Sequence, residues 1–268
     1  MKKILYPLFL IASFVFSQDT KYNSPYDYER LEEGAYYYLF GDNVKFRTEP
    51  NTDSEVIALL KIGTKIQIDY NTKETMMYNG LESPFYKIKY GDKTGYVLGG
   101  LISLEKRERG DSQFFFTYKK EGESYATIVR YFNETTSEIV DTTVQLATSM
   151  FSIELYNNRG VSGVDNIVFI NYLAEACGVN GGGIYLFQFD NKLKKVFDLS
   201  KVSEAGLFWT SEKLIFPKDE KGIEGKIVYQ RETQNYLDEN TNWTELERVS
   251  RELEWNGDEI LPKPYSEN

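Results

Sequence analysis

The patterning of the chain changes abruptly near its start. Residues Ile4 to Phe16 are almost uniformly apolar behind a basic Met1-Lys2-Lys3, and from Ser17 onward apolar residues come only in short runs broken by turn chemistry. The opening has the layout of a secretory signal peptide: a short basic region, an apolar stretch, then small and polar residues. Val15 and Ser17 suit cleavage after Ser17, so residues 1–17 are expected to be removed on export to the periplasm or the extracellular space. Thirteen apolar residues are too few for a helix to cross a hydrocarbon core about 30 Å thick. No later run reaches 18 apolar residues, so no stable membrane insertion is expected after cleavage. Residues 18–34, polar and Tyr-rich with Pro25, read as an extended leader.

From residue 35 to 104 the pattern has the period of short β-strands. Val44-Lys45-Phe46-Arg47 alternates and stops at Glu49-Pro50-Asn51. Val56 to Leu60 leads into the Lys61-Ile62-Gly63 turn and a run to Tyr70. Phe85 to Tyr90 alternates strictly, turns at Gly91-Asp92-Lys93 and returns through Tyr96-Val97. Five short strands in so few residues predict a small barrel, with Ile57, Leu59, Ile66, Ile68, Ile88 and Val97 facing one core. Gly95 is expected where two backbones approach closely.

Three ordered blocks carry a family resemblance: Phe46-Arg47-Thr48-Glu49-Pro50-Asn51, then Val56-Ile57-Ala58-Leu59-Leu60-Lys61-Ile62-Gly63-Thr64, then Phe85-Tyr86-Lys87-Ile88-Lys89-Tyr90-Gly91 through Gly95-Tyr96-Val97. This stretch resembles the bacterial SH3-like (Src-homology-3-like) domain. It departs from the family pattern in having Phe85 where Trp is usual and a longer polar insert from Asn71 to Ser83. The resemblance implies a module that contacts a peptide-like or cell-wall ligand. The segment's surplus of rings suggests an aromatic groove, with Tyr38, Tyr70, Phe85, Tyr86 and Tyr96 as candidate ligand-binding residues; a core role for the same rings is the competing reading.

The charged run 105–112 reads as a linker, or equally as a solvated helical turn. Residues 113–262 predict a second, larger antiparallel β domain, either a sandwich or a meander of propeller-blade type, followed by a tail at 263–268. Ten candidate strands are separated by turns such as Asn157 to Gly160 and Asp190-Asn191, and Gln234 to Glu247 reads as a long loop or short helix. The fold class expected overall is all-β. No fixed repeat period is evident, and the length suffices for three or four blades at most, which argues against a closed propeller.

Composition then narrows the chemistry. The chain has no His and one Cys, which rules out Ser-His-Asp triads, Cys-His dyads and His-ligated metal sites built from this chain alone. Cys177 cannot form an internal disulfide and is expected either free or paired to another chain. The Gly178 to Gly183 stretch precedes a strand-like run, not a helix, so a phosphate cradle is not indicated. Without the leading lysines the chain has 29 basic and 41 acidic residues, a balance that disfavours nucleic acid as a partner. The barrel segment is neutral, with eight of each sign, and the acidity sits in the second half. No catalytic residues, cofactor or metal are called for. The leading expectation is an exported, non-catalytic binding protein with a peptide or cell-wall partner. The alternatives are an envelope hydrolase using carboxylates of the second domain, and a protein inhibitor or surface-structural protein whose acidic half engages a protein partner.

Overall fold

In a computed structural model the described residues are 21–27, 30–174, 176–205, 207–238 and 243–264. The expected signal peptide, 1–17, and the end of the tail lie outside them. Among the described residues the chain is built from strands, with one 3-10 turn at Gly99–Leu101 beside the first sheet. No helix there is long and apolar enough to cross a membrane.

The first sheet holds β1 (Tyr36–Tyr38), β2 (Val44–Arg47), β3 (Val56–Leu60), β4 (Lys65–Tyr78), β5 (Leu81–Tyr90) and β6 (Lys93–Leu98), in the order β1-β4-β5-β6-β2-β3. It curls around Phe46, Ile66, Ile68, Tyr86, Ile88 and Val97. β1 and β3 remain edges, so the expected barrel is a half-barrel. Gly95 faces inward, and a Cβ there would sit 2.6 Å from both the Arg47 carbonyl oxygen and the Phe46 ring. Only glycine lets the strands approach this closely. Leu59 departs from the expected core. It pairs with exposed Lys45, while Leu60 opposite Val44 turns inward, because neighbours on a strand face opposite ways.

Three antiparallel meanders follow in chain order. The second sheet is β7 (Lys106–Arg109), β8 (Ser112–Glu121), β9 (Ser124–Asn133) and β10 (Ile139–Gln145). The third is β11 (Phe151–Asn157), β12 (Asn166–Tyr172), β13 (Gly183–Phe189) and β14 (Lys192–Leu199). The fourth is β15 (Lys201–Glu204), β16 (Phe208–Ile215), β17 (Ile227–Asp238), β18 (Trp243–Trp255) and β19 (Ile260–Leu261). The second half is therefore a series of blade-like meanders packed face to face.

The side-chain alternation explains the packing. On β8, Phe114 and Phe116 face the third sheet, while Phe115 faces Phe40 and Ile62 of the half-barrel. On β13, Ile184 and Leu186 meet the second sheet, and Tyr185, Phe187 and Phe189 meet Phe216, Tyr229 and Leu253 of the fourth. Every residue of β13 is buried, which is why its sequence is apolar rather than alternating, except at Gln188, which bonds Asn166 and Asp165.

Three segments differ from the sequence reading. The run 105–112 contains the edge strand β7, and the Glu105 side chain is nearly enclosed. It is neither a free linker nor a helical turn, because Gly110-Asp111 folds β7 back onto β8. The stretch 234–247 belongs largely to the paired strands β17 and β18. The leader 18–34 is not simply extended where described, since the chain turns at 25–27 and again at 33–34, and it is tied in. Asn23 pairs with the Phe151 backbone, donates from Nδ2 to Glu105 at 2.9 Å, and accepts from the Tyr118 hydroxyl at 3.0 Å.

Candidate functional site

β5 and β6 run side by side, pairing Phe85 with Leu98 and Lys87 with Tyr96. Alternation sends Phe85, Lys87, Tyr96 and Leu98 to the outer face and Tyr86, Ile88 and Val97 into the core. Two hollows open on the outer face, of about 300 Å³ and 330 Å³. They share Thr52, Met76 and Phe85, and so form one groove in two halves. The first half has an apolar floor of Val44, Phe85, Leu98 and Leu101 with Arg47 beside it; the second runs between Pro50-Asn51 and Glu74-Thr75.

Both walls are ordered by the chain itself. The β2–β3 turn is held by Arg47, whose Nη1 donates to the Ser54 carbonyl at 2.7 Å. Asn51 Oδ1 accepts from the Asp53 and Ser54 amides at 3.0 and 2.8 Å. The opposite wall is the extended β4–β5 hairpin, into which the Asn71–Ser83 insert folds. Thr72 Oγ1 donates to the Phe85 carbonyl at 2.8 Å, and Thr75 Oγ1 donates to Glu82 at 2.6 Å. The arm ends in an Asn79-Gly80 turn with φ of 51° and 76°. Positive φ at both central positions marks the mirror-image turn that suits a twisted hairpin. The Lys120 amide donates to the Asn79 carbonyl at 2.8 Å, and Ser83 Oγ accepts from the Gly100 amide at 2.6 Å. The arm is thus pinned to the second sheet at its tip and to the half-barrel at its root.

The five residues singled out from the sequence separate into four places. Phe85, only 5% exposed, forms the groove floor. Tyr70 and Tyr96 stand further along the same outer face, their hydroxyls 3.5 Å apart, with the Lys87 ammonium 5.3 Å from the Tyr70 ring centre. That hydroxyl contact is the main reason the Tyr96 phenol is pushed up to about 12, with burial second. Tyr86 is fully enclosed and accepts from the Leu31 amide at 3.2 Å, so it holds the leader and presents no surface. Tyr38 sits away from the groove, with the Lys106 ammonium 4.8 Å from its ring centre. Met76, Thr52 and Leu98 line the groove without having been singled out. Asn79-Gly80 was the available signal for the arm that carries Met76.

Among the described residues no group of acidic residues and cysteine is arranged to hold a metal ion. The carboxylate pairs of β18 lie on its exposed surface. There Glu247 faces Arg231 at 3.7 Å, and Glu254 pairs with Lys226.

Residues 42–103 match the family model of the bacterial SH3 domain. The match confirms the resemblance carried by the three sequence blocks, and it points to a binding role. It stops before β7, and no family covers the three stacked sheets. No curated protein and no solved structure matches the chain.

Proposed function

We propose that this is an exported, non-catalytic binding protein whose half-barrel groove takes a peptide-like segment, free or as part of the cell wall. The observation that carries the reading is the two-part groove over Phe85. Its floor is apolar, its polar groups stand along the walls at Asp42, Asn43, Lys45, Arg47, Asn51, Thr52, Glu74 and Thr75, and both walls are internally bonded. A preformed trough with an apolar floor and placed polar groups is what a short extended ligand needs, because little side-chain freedom is lost on binding. The SH3 match supports the binding role. The sequence supports export through residues 1–17, and we take residues 35–104 and 113–262 as the two domains, with β7 at Lys106–Arg109 joined to the second.

The test is a titration of the full processed chain with soluble muropeptides and with an unrelated peptide pool, followed by amide NMR. Chemical-shift changes gathered at Thr52, Met76, Phe85 and Leu98, and lost in Met76→Glu, are the expected result. Saturating ligand without a shift at these residues would overturn the groove assignment. Mass analysis of the exported chain should find Gln18 at its start.

A further inference from the structure

Three sheets end at one place. β1 is an edge of the half-barrel sheet, β7 of the second and β11 of the third. They meet around a cleft of about 670 Å³ lined by Tyr36, Tyr38, Glu105, Arg107, Ser152 and Ile153, with Lys21 at its rim. This is a different surface from the groove over Phe85. The size is that of a site for a small ligand or a few peptide residues.

Its polar groups are unevenly satisfied. Ser152 is 2% exposed, lines the cleft, and its hydroxyl has no partner. Arg107 Nε is buried without an acceptor, although Nη2 reaches Glu105 at 2.7 Å. Among the described residues Lys21 Nζ reaches the Leu104 carbonyl, at 3.4 Å. Glu105 Oε1 accepts from Asn23 and its Oε2 ion-pairs with Arg107 without a well-directed hydrogen bond, and Glu154 accepts from Tyr156 and Asn171. Lys106 is already paired with Glu108 at 2.6 Å. What remains among the described residues is the Ser152 hydroxyl and Arg107 Nε with no acceptor, and a Lys21 ammonium with one long carbonyl contact. A buried donor left unmade is costly, so the group that completes this cleft is an acceptor carrying negative charge.

The backbone adds a direction. The Phe151 amide and carbonyl both bond outward to Asn23. Two residues on, alternation turns the Ile153 amide and carbonyl the same way, into the cleft. Flanking β1, the Ala35 carbonyl accepts from Ile68 of β4 and Leu39 bonds Thr64 and Gly63 just before it, so Tyr36 presents its backbone outward by the same rule. An extended chain can pair with such an edge while its charged end meets the donors.

We propose that the three-edge cleft binds the carboxylate end of an extended peptide, with the carboxylate received by Ser152, Arg107 and Lys21 and the preceding residue paired to the β11 edge at Ile153. The test uses the full processed chain with the tripeptide Ala-Ala-Ala, its C-terminal amide, and glucuronate as a carboxylate without a peptide backbone. The free acid should bind and protect the Ile153 amide from hydrogen exchange. The amide should bind about tenfold more weakly, the loss expected for hydrogen bonds to a charged group. Ser152→Ala should weaken the free acid by a similar factor while leaving the melting temperature unchanged or higher, because it removes a buried hydroxyl that nothing in the free protein satisfies. A merely structural serine would show the opposite. Lys21→Ala should weaken binding less and without loss of fold. Equal binding of acid and amide, equal binding of glucuronate, or indifference to Ser152→Ala would each overturn the proposal. Met76→Glu in the half-barrel groove should leave this binding unchanged, which separates the outcome from that of the groove.

Discussion

The half-barrel and the three-sheet stack solve the same burial problem in different ways. The half-barrel curls around its own interior of Phe46, Ile68, Tyr86, Ile88 and Val97. No sheet of the stack curls around a core of its own. Its apolar side chains meet only between sheets, with Phe116 against the third sheet and Phe187 against the fourth. A sheet that wraps its core makes a compact, recognisable pattern of turns and close approaches. A sheet whose faces are completed by neighbours needs only bulk on both sides, and many sequences supply that. In the stack only the central strand β13 is buried along its whole length, whereas strands such as β14 and β18 keep one face in solvent.

The most severe way to break this contrast is to hollow out the stack. Phe187 is fully buried, between Phe216 and Trp255, with ring centres 6.3 and 5.1 Å away. Phe187→Ala should cost about 3–5 kcal/mol, read from urea denaturation of the full chain. Because Phe115 packs on Phe40 and Ile62, and Arg130 of β9 donates to the Phe40 carbonyl, the groove should be lost in the same transition. Groove amide signals that outlive the far-ultraviolet transition would show that the two regions fold separately.

A milder break is at Gly80, where the hairpin arm touches the stack. Its φ is 76°, and a Cβ would collide with the Lys120 carbonyl. Gly80→Ala should cost about 1–3 kcal/mol from backbone strain and overpacking. It should also weaken groove binding, since the arm carrying Met76 lifts away. A stability loss with unchanged binding would mean that the arm is held from its root alone.

The same residues show what could be read from the sequence. All ten strands expected beyond residue 113 fall on strands, because each pairs a turn signal with an apolar run. β7 was missed because Lys106-Arg107-Glu108-Arg109 carries no apolar alternation; it is an edge strand, and charges are how edges avoid false pairing. The far halves of β17 and β18 were missed for a related reason: they are largely solvent-facing, with Trp243 70% exposed. Of the site, Phe85 was legible from its place in the third family block. Adjacent Phe85 and Tyr86 cannot share one face of a strand, and alternation alone separates them. The three-edge cleft was not legible. It depends on β1, β7 and β11 meeting, and no local pattern reports where sheet edges converge.

Alkaline pH should act more strongly on the stack than on the half-barrel. Burial pushes the phenols of Tyr172 and Tyr185 up to about 12, with neighbouring groups partly opposing it at Tyr185. In the unfolded chain they ionise near 10. The folded state therefore holds these protons more tightly, and the associated stability is complete below about pH 10 and lost as pH rises toward 12. Tyr185→Phe should flatten that fall in a pH series of urea midpoints. An unaltered slope would place the alkaline loss elsewhere.

The smallest expected effect concerns the outer face of the half-barrel. Tyr96 is raised chiefly by its hydroxyl contact with Tyr70 and only secondarily by burial, whereas Tyr185 is raised chiefly by burial. Tyr70→Phe removes the contact without opening a cavity, so stability should change by less than about 0.5 kcal/mol, as for exposed sites generally. The Tyr96 phenol should nevertheless fall back toward 10, visible as an added component in a phenolate absorbance titration. Because the pair stands on the same face as Phe85, a groove ligand that reaches it should restore the raised value. A Tyr96 titration unmoved by Tyr70→Phe would make burial the cause in both regions and remove this distinction between them.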